Sequence, residues 1–253
     1  MLFYRLYPSC AMTDYGLVTV IIPSYNRFKY LLNAIKSIKE QTYANVEIIV
    51  INDGSTEQEY YSHNFVQDNV QIIHLEVNSR KLYGFVNIGY VRNVGMANAK
   101  GKYIAFCDDD DIWFPHKLEV QLPAMVASGC KMSCTEGLIG KGTYNSNIIY
   151  QKYNSECNYQ TLQNIYRHHN SNLLYNGFPD IWTSEFLDVH NCCVVSSVII
   201  ETELLKNINY MKNVPCGQED YDCWKRTLRH TNCLYVKDTC FYYDVGHGDG
   251  QNY

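Results

Sequence analysis

Positive charge is scarce in this 253-residue chain, which carries 21 Lys and Arg residues against 26 Asp and Glu residues. A nucleic-acid-binding protein usually presents a basic stripe, so the formal net charge of −5 argues against that class. Long apolar runs are also missing: no segment approaches the ~20 apolar residues of a membrane span. The N-terminal segment, interrupted by Arg5 and Pro8, lacks the apolar stretch of a signal peptide. These absences predict a cytoplasmic protein without a transmembrane segment.

Several motifs that hold metals or phosphates are absent as well. None of the eleven cysteines forms the C-x-x-C pair of a zinc site, and their odd number favours reduced, buried thiols over a disulfide scaffold. The sequence contains no G-x-x-x-x-G-K loop, no G-x-G-x-x-G turn and no EF-hand spacing. A diphosphate ligand would therefore have to be held mainly by a metal ion.

The sequence has instead an alternation of strand-like and helix-like segments. Short, largely β-branched runs predict strands at 18–22, 46–51, 70–75 and 103–107, the first ended by Pro23. Helical spacing predicts one helix after the first strand and another at about 85–99. Because the strands are apolar on both faces, this pattern predicts an α/β fold with a largely parallel sheet covered by helices on both sides.

Polar clusters follow three of these strands: PSYNR at 23–27, NDGS at 52–55 and DDDD at 108–111. Ligands of open parallel sheets sit beyond the carboxyl ends of the strands, so we expect the three clusters to share one crevice. Two like charges ~4 Å apart repel by about 1 kcal/mol in water and about 4 kcal/mol at an effective dielectric constant of 20. The four aspartates therefore indicate a divalent cation, Mn²⁺ or Mg²⁺. The alternative is an acidic start to a helix that opens at Pro115, although one cap needs fewer acids.

These segments resemble the successive motifs of the family 2 glycosyltransferases. The matching stretches are TVIIPSYNR, EIIVINDGS, RNVGMANAKGKYIAFCDDDD and, much later, GQEDYDCWKR. The resemblance covers residues 18–247 and implies a single catalytic domain at 18–253 of the A-type, Rossmann-like fold, with a mixed, mainly parallel sheet. Residues 1–17 would be an N-terminal extension, 18–115 the nucleotide-binding half and 116–253 the acceptor-binding half. The implied activity is metal-dependent, inverting transfer of a hexosyl or N-acetylhexosaminyl group from a nucleotide diphosphate sugar, UDP-sugar by expectation, to an acceptor hydroxyl on a carbohydrate or glycoconjugate.

The resemblance also implies roles for individual residues. The donor nucleotide would be bound by Pro23, Ser24, Tyr25, Arg27, Asp53, Arg92, Asp108 and Asp109. Asp110 would hold the metal between the two phosphates, and His247 would contact the metal or the diphosphate. Asp220 would be the general base, with Glu219 beside it. Because the four aspartates are consecutive, a frame shift of one residue would exchange the ribose and metal assignments, and both frames stay open.

The second half of the chain carries weaker signals. Glu219 opens a predicted helix, and Gly217 is expected to let the chain approach a neighbour closely. Residues 129–188 are rich in Asn, Tyr, Gln and Ser, and they are interpreted as irregular structure that forms the acceptor wall. Trp182 in that region is either an acceptor-stacking residue or, with more weight, a core residue. Residues 190–200 predict a further strand that leads into a helix.

Two other functions stay open at this stage. A nucleotidyltransferase that makes sugar nucleotides could share the sheet and the aspartates, although it would usually show a glycine-rich basic loop near the first strand. A non-catalytic module that binds nucleotide sugars could retain the same fold.

Overall fold

One ten-stranded sheet forms the centre of the computed structural model, which describes residues 13–215 and 217–247. The strands are β1 (Val18–Ser24), β2 (Val46–Asn52), β3 (Val70–His74), β4 (Tyr103–Phe106), β5 (Ile112–Trp113), β6 (Met132–Gly140), β7 (Gln151–Lys152), β8 (Ile181–Trp182), β9 (Ile199–Glu201) and β10 (Cys233–Asp244). The α-helices are α1 (Phe28–Lys39), α2 (Glu59–Ser62), α3 (Ser79–Tyr83), α4 (Ile88–Asn98), α5 (Lys117–Ser128), α6 (Tyr159–His168), α7 (Ser184–Val189), α8 (Thr202–Asn207) and α9 (Glu219–Thr227). A π-helical turn spans Tyr153–Cys157 and a 3₁₀ turn spans Val195–Ser197.

The strand order is β3-β2-β1-β4-β9-β6-β10-β5, with β7 paired to β6 and β8 paired to β10. Neighbours among the first four strands of the chain pair in parallel, and so do β6 and β10. Strand β9 lies antiparallel between β4 and β6, and the two-residue strands β5, β7 and β8 are antiparallel as well. The predicted fold class, an α/β domain with a mixed, mainly parallel sheet, is confirmed.

The sheet is buried on both faces, as the continuous apolar strands predicted. Alternate residues of β1 point to opposite faces: Val20 and Ile22 pack into one core cluster, whereas Ile21 packs into the other. Helix α4 lies close against the sheet at Gly95, where an added Cβ would come within 2.7 Å of the Ile51 side chain. The two apolar layers hold the strand ends, and therefore the polar clusters, in place.

The boundaries of several predicted elements differ from those observed. Strand β1 continues through Pro23 to Ser24, because the neighbouring β4 ends opposite Ile21 and requires no N–H from the proline. The helix expected at 85–99 begins at Ile88, where Asn87 accepts the cap hydrogen bond from the backbone N–H of Tyr90. The helix expected from Pro115 begins at Lys117.

Two predictions for the second half were wrong. Residues 129–188 contain the nine-residue strand β6 and helix α6 rather than irregular structure. Strand β6 was not recognised in the sequence because some of its buried residues are polar, and their hydrogen-bond partners lie in distant parts of the chain. Glu136, for example, accepts hydrogen bonds from the backbone N–H of Asn154 and from the Tyr235 hydroxyl. Of the strand expected at 190–200, only Ile199–Glu201 forms, and the preceding residues form a loop and the 3₁₀ turn.

Trp182 is fully buried and stacks on Phe186 and Tyr235 with ring centroids 4.9 and 4.5 Å apart, which makes it a core residue. Most of the expected N-terminal extension, residues 1–12, lies outside the described part of the chain. Within residues 13–215 and 217–247, the helices are too short or too polar to cross a lipid bilayer.

Candidate active site

A cavity of about 620 Å³ opens beyond the carboxyl ends of β1 and β4. Eight residues singled out from the sequence line it: Pro23, Arg27, Arg92, Asp108, Asp110, Glu219, Asp220 and His247. The other four, Ser24, Tyr25, Asp53 and Asp109, are not among its lining residues. The chain therefore folds two distant acidic clusters, at 108–111 and 219–220, around one space.

The parallel register explains how the first and third polar clusters meet. Ile21 lies opposite Phe106, so the residues that follow the two strands continue side by side. The Ser24 hydroxyl donates to Asp109 at 2.6 Å, and the backbone N–H of Asp53 donates to the Ser24 carbonyl at 2.9 Å. The crevice expected at the strand ends is thus present, although the NDGS turn supports its wall rather than lining it.

Arg27 neutralises two of the four consecutive aspartates. Its guanidinium lies 2.8 Å from an oxygen of Asp109 and 2.8 Å from an oxygen of Asp110, and it is almost fully buried. Burial raises the pKa of Asp109 to about 8 and that of Asp110 to about 6, while Arg27 opposes both shifts. Asp109 is completely buried, whereas Asp110 reaches the cavity.

The remaining two aspartates point in different directions. Asp108 pairs with Arg92 at 2.7 Å and lines the cavity. Asp111 is completely buried, accepts hydrogen bonds from the Ser196 hydroxyl and the backbone N–H of Asp244, and its pKa is raised by burial. Each of the four carboxylates has a protein partner, with Arg27 shared by Asp109 and Asp110, so their crowding alone does not require a metal. The expected cation stays a prediction for Asp108 and Asp110, the two carboxylates that line the cavity.

Asp53 is turned away from the cavity by helix α3. Its carboxylate accepts from the backbone N–H and the hydroxyl of Ser79, both at 2.7 Å, and from the Asn78 amide at 3.1 Å. These contacts organise the turn after β2. The Asp53 carboxylate was expected to face the cavity and contact the nucleotide, but in this structure it does not line the cavity.

Arg92 connects the two acidic clusters. Its Nη2 donates to Asp108 at 2.7 Å and its Nη1 donates to Glu219 at 2.9 Å, and the side chain is 3% exposed. A guanidinium suits this place because its planar fork can meet two carboxylates at once. Arg92 and Glu219 are 127 positions apart in the chain, and Arg92 also lines the cavity, so its expected contact with a nucleotide base stays a prediction.

Asp220 is a half-buried carboxylate that lines the cavity, and its pKa is raised. Burial, and after it the charge of Glu219, raise the pKa of Asp220 to about 7, whereas the charge of Arg92 opposes the shift. Its carboxylate accepts from its neighbour Tyr221 N–H at 2.6 Å and lies 3.4 Å from the Asn191 amide. Gly217, two residues before α9, has a φ of +86° and open space where a Cβ would lie, so backbone conformation rather than close approach accounts for it.

His247 completes the cavity on the C-terminal side. Its carbonyl accepts from Arg27 at 3.3 Å and its ring lies 6.2 Å from that of Tyr243. Sequence reasoning missed Tyr243, Tyr153, Asn191 and Arg80 among the lining residues. No motif marks Tyr153 or Asn191; Tyr153 lies in the region interpreted as irregular, and Asn191 lies in the segment expected to form a strand.

The donor set at the cavity fits a hard divalent cation that shares its coordination with a ligand. Asp108 and Asp110 present carboxylates there, and magnesium-like ions are bound by one or two carboxylates plus substrate phosphates. Within the described residues, no three carboxylate or imidazole groups at this cavity come within 4.8 Å of one another, so the protein alone does not build a closed cage. Asp110 would hold such an ion, with His247 beside it.

Comparison with known proteins identifies the fold. At 20% identity, the structure of S. aureus TarS 1-349 in complex with UDP-GlcNAc superposes with a TM-score of 0.59, covering 94% of this chain and 61% of that one. A mannosyltransferase, PcManGT from Pyrobaculum calidifontis, in complex with GDP-Man and Mn²⁺, gives 0.61 at 16% identity, covering 92% and 58%. The sheet and its carboxylate-lined crevice define the class of A-type glycosyltransferase folds.

Sequence comparison gives the family. The model described as "Glycosyl transferase family 2" matches residues 19–187. Over 203 residues the chain is 32% identical to an uncharacterized glycosyltransferase of Rickettsia bellii, covering 80% of this chain and 25% of that protein. The protein described here belongs to glycosyl transferase family 2. It spans about a quarter of the length of this relative.

Proposed function

We propose that the protein transfers a sugar from a UDP-sugar to an acceptor hydroxyl, with inversion at the anomeric carbon. One observation carries the proposal: Asp108 and Asp110 from one end of the sheet and Asp220 from α9 face the same 620 Å³ cavity. Leaving-group binding and proton removal are separate tasks, and the cavity offers separate carboxylates for them. Membership of glycosyl transferase family 2 supports the same reaction class.

The donor would lie on the β1–β4 side of the cavity. Pro23 and Asp108 line that side, and Arg27 provides a positive charge next to Asp110. Mn²⁺ or Mg²⁺ held by Asp110, with His247 adjacent, would neutralise the charge that develops on the leaving diphosphate. The complexes of the two structural neighbours, UDP-GlcNAc in TarS and GDP-Man with Mn²⁺ in PcManGT, support a nucleotide-sugar donor and a divalent ion.

The cavity favours one of the two frames for the aspartate run. Asp108 and Asp110 line the cavity, whereas Asp109 and Asp111 are completely buried against Ser24 and Ser196. In the shifted frame, Asp109 and Asp111 would bind the ligands, and both would have to break their buried hydrogen bonds with Ser24 and Ser196. The frame with Asp108 toward the ribose and Asp110 toward the metal needs no such rearrangement.

Asp220 would act as the general base. The acceptor oxygen attacks the anomeric carbon from the face opposite the diphosphate and transfers its proton to the Asp220 carboxylate. The bond between the anomeric carbon and the diphosphate oxygen breaks, and its electron pair stays on that oxygen. A pKa of about 7 suits this role, because such a base is unprotonated for much of the time near neutral pH and is still strong enough to take the proton.

The experiment is a donor panel assayed with Mn²⁺. The protein is incubated with UDP-GlcNAc, UDP-glucose, UDP-galactose and GDP-mannose, and release of nucleoside diphosphate is measured with and without EDTA. We expect slow release from a UDP-sugar that EDTA abolishes. Absence of UDP binding under every metal condition would contradict the proposal, and consumption of a nucleoside triphosphate with pyrophosphate release would favour a nucleotidyltransferase.

An Asp220→Asn variant separates catalysis from donor binding. It should bind UDP with unchanged thermal stabilisation and lose ~10²- to 10⁴-fold in turnover. The matched control is Asp188→Asn, an exposed aspartate outside the cavity lining, which should behave as wild type. Full turnover in Asp220→Asn would exclude it as the base, and binding without any turnover in the wild type would favour a non-catalytic module.

A further inference from the structure

Three cysteines from distant parts of the chain meet in the core. Cys134 lies in β6, Cys233 in β10, and Cys193 in the loop before the 3₁₀ turn. Their sulfur atoms all lie within 4.8 Å of one another, and the Cys134 and Cys233 sulfurs are 3.7 Å apart. In the parallel β6–β10 register Cys134 is opposite Tyr235, two residues from Cys233, so both cysteines occupy the same face of the sheet.

The sulfur spacing matches that of a thiolate metal site. Zinc–sulfur bonds are about 2.3 Å long, so two sulfurs at a tetrahedral angle are separated by about 3.8 Å. The Cys134–Cys233 pair already has this separation. The third sulfur needs a shift of about 1 Å or less, which a change in the cysteine χ1 angle can supply.

The ligand type determines which ions the site would take. Soft thiolates select zinc and related ions, whereas the carboxylates of the donor cavity suit Mg²⁺ and Mn²⁺. The two sites are therefore chemically distinct. All nine cysteines in the described residues are free, so these sulfurs are not consumed by disulfides.

The trio is buried but has a route to solvent. Cys134 and Cys233 are 1% and 0% exposed, whereas Cys193 is 4% exposed and lines the donor cavity. An ion could enter through the cavity and meet Cys193 first.

We propose that Cys134, Cys193 and Cys233 form a three-sulfur site for a thiophilic d¹⁰ cation of the Zn²⁺ class, separate from the carboxylate site for the hard divalent ion. Three protein ligands leave a fourth position for water, an arrangement that zinc accepts. The bound ion would tie the loop that carries Cys193 to the two central strands. The same loop carries Asn191, whose amide is 3.4 Å from Asp220, so the ion would also anchor one wall of the donor cavity.

The probe is Cd²⁺, because sulfur ligation gives an ultraviolet charge-transfer band that oxygen ligation does not. The reduced 253-residue chain is titrated with Cd²⁺ in the absence of Mn²⁺ and nucleotide, and stoichiometry is read by native mass spectrometry. We expect one tightly bound ion per chain, the charge-transfer band, and displacement by Zn²⁺. The Cys193→Ser and Cys134→Ser variants should give a weaker band at saturation, because one sulfur ligand is lost, and should bind about tenfold or more weakly.

Matched controls separate this site from other thiols and from the carboxylates. Cys157→Ser removes an exposed thiol and Cys223→Ser removes a buried thiol outside the trio, and both should keep the band. Asp110→Asn should also keep it. If a trio variant fails to fold, alkylation of the wild type followed by peptide mapping provides the second test, in which Cd²⁺ should protect Cys193. A wild type without the band, or an undiminished band and affinity in folded Cys193→Ser, would overturn the proposal.

Discussion

The pKa of Asp220 makes the pH dependence of transfer a direct test of the proposed base. Burial and the neighbouring Glu219 charge raise this pKa from 3.8 to about 7. Because a base must be unprotonated, kcat/KM should fall below that pH to about one tenth of its plateau at pH 6 and about one hundredth at pH 5. A carboxylate with an ordinary pKa would keep nearly full activity at both values.

Replacing Glu219 by Gln tests the cause of the shift. The Gln side-chain carbonyl can still accept the 2.9 Å hydrogen bond from Arg92, but the negative charge next to Asp220 is removed. A lost negative charge lowers the pKa of Asp220, so the acid limb should move to lower pH. At pH 6 the variant should retain a larger fraction of its own plateau than the wild type does.

The assay is the initial rate of UDP release from about pH 5 to pH 8.5, with Mn²⁺ saturating at each pH. Thermal unfolding at every pH, with and without UDP, identifies any loss that comes from unfolding or from weaker donor binding. A wild-type plateau that extends down to pH 5 would refute a base with a pKa near 7. A limb that moves to higher pH in Glu219→Gln would refute the electrostatic reasoning.

Three other perturbations test the ion pairs, the metal frame and the core. Arg92→Met leaves the buried Glu219 and the partly exposed Asp108 without their shared counter-charge, so urea unfolding should show a loss of ~3–5 kcal/mol; unchanged stability would contradict this. Asp110→Asn should weaken Mn²⁺-dependent UDP binding, measured by calorimetry, by about tenfold or more, whereas Asp111→Asn should weaken it less. A larger loss of UDP affinity in Asp111→Asn than in Asp110→Asn would favour the shifted frame. Trp182→Ala should cost ~3–5 kcal/mol of stability but leave UDP release per folded molecule unchanged, and a selective loss of that rate would place Trp182 at the acceptor.

Local patterns in the sequence were enough to predict strands β1 to β4 and the position of the crevice at their ends, but not the long strands β6 and β10. The segment from β1 to β4 has strands of continuous apolar residues, and side chains that alternate between two buried faces require helices on both sides. Parallel strands place their carboxyl ends along one edge, which is why Ser24 and Asp109 could be expected to be neighbours before any contact was known. The acidic residues of its first turn also indicated that helix α9 begins at Glu219.

Only the tertiary structure decided which partner each charged or sulfur-bearing side chain takes. Arg27 pairs with Asp110 across 83 positions and Arg92 pairs with Glu219 across 127 positions. The sulfurs of the cysteine trio meet although no motif spacing connects them. Such partnerships depend on strand order, on which strand face a residue occupies and on the path of loops such as 190–195. Local propensity and periodicity carry none of that information, because pairing between distant segments is determined by how the whole chain buries its apolar surface.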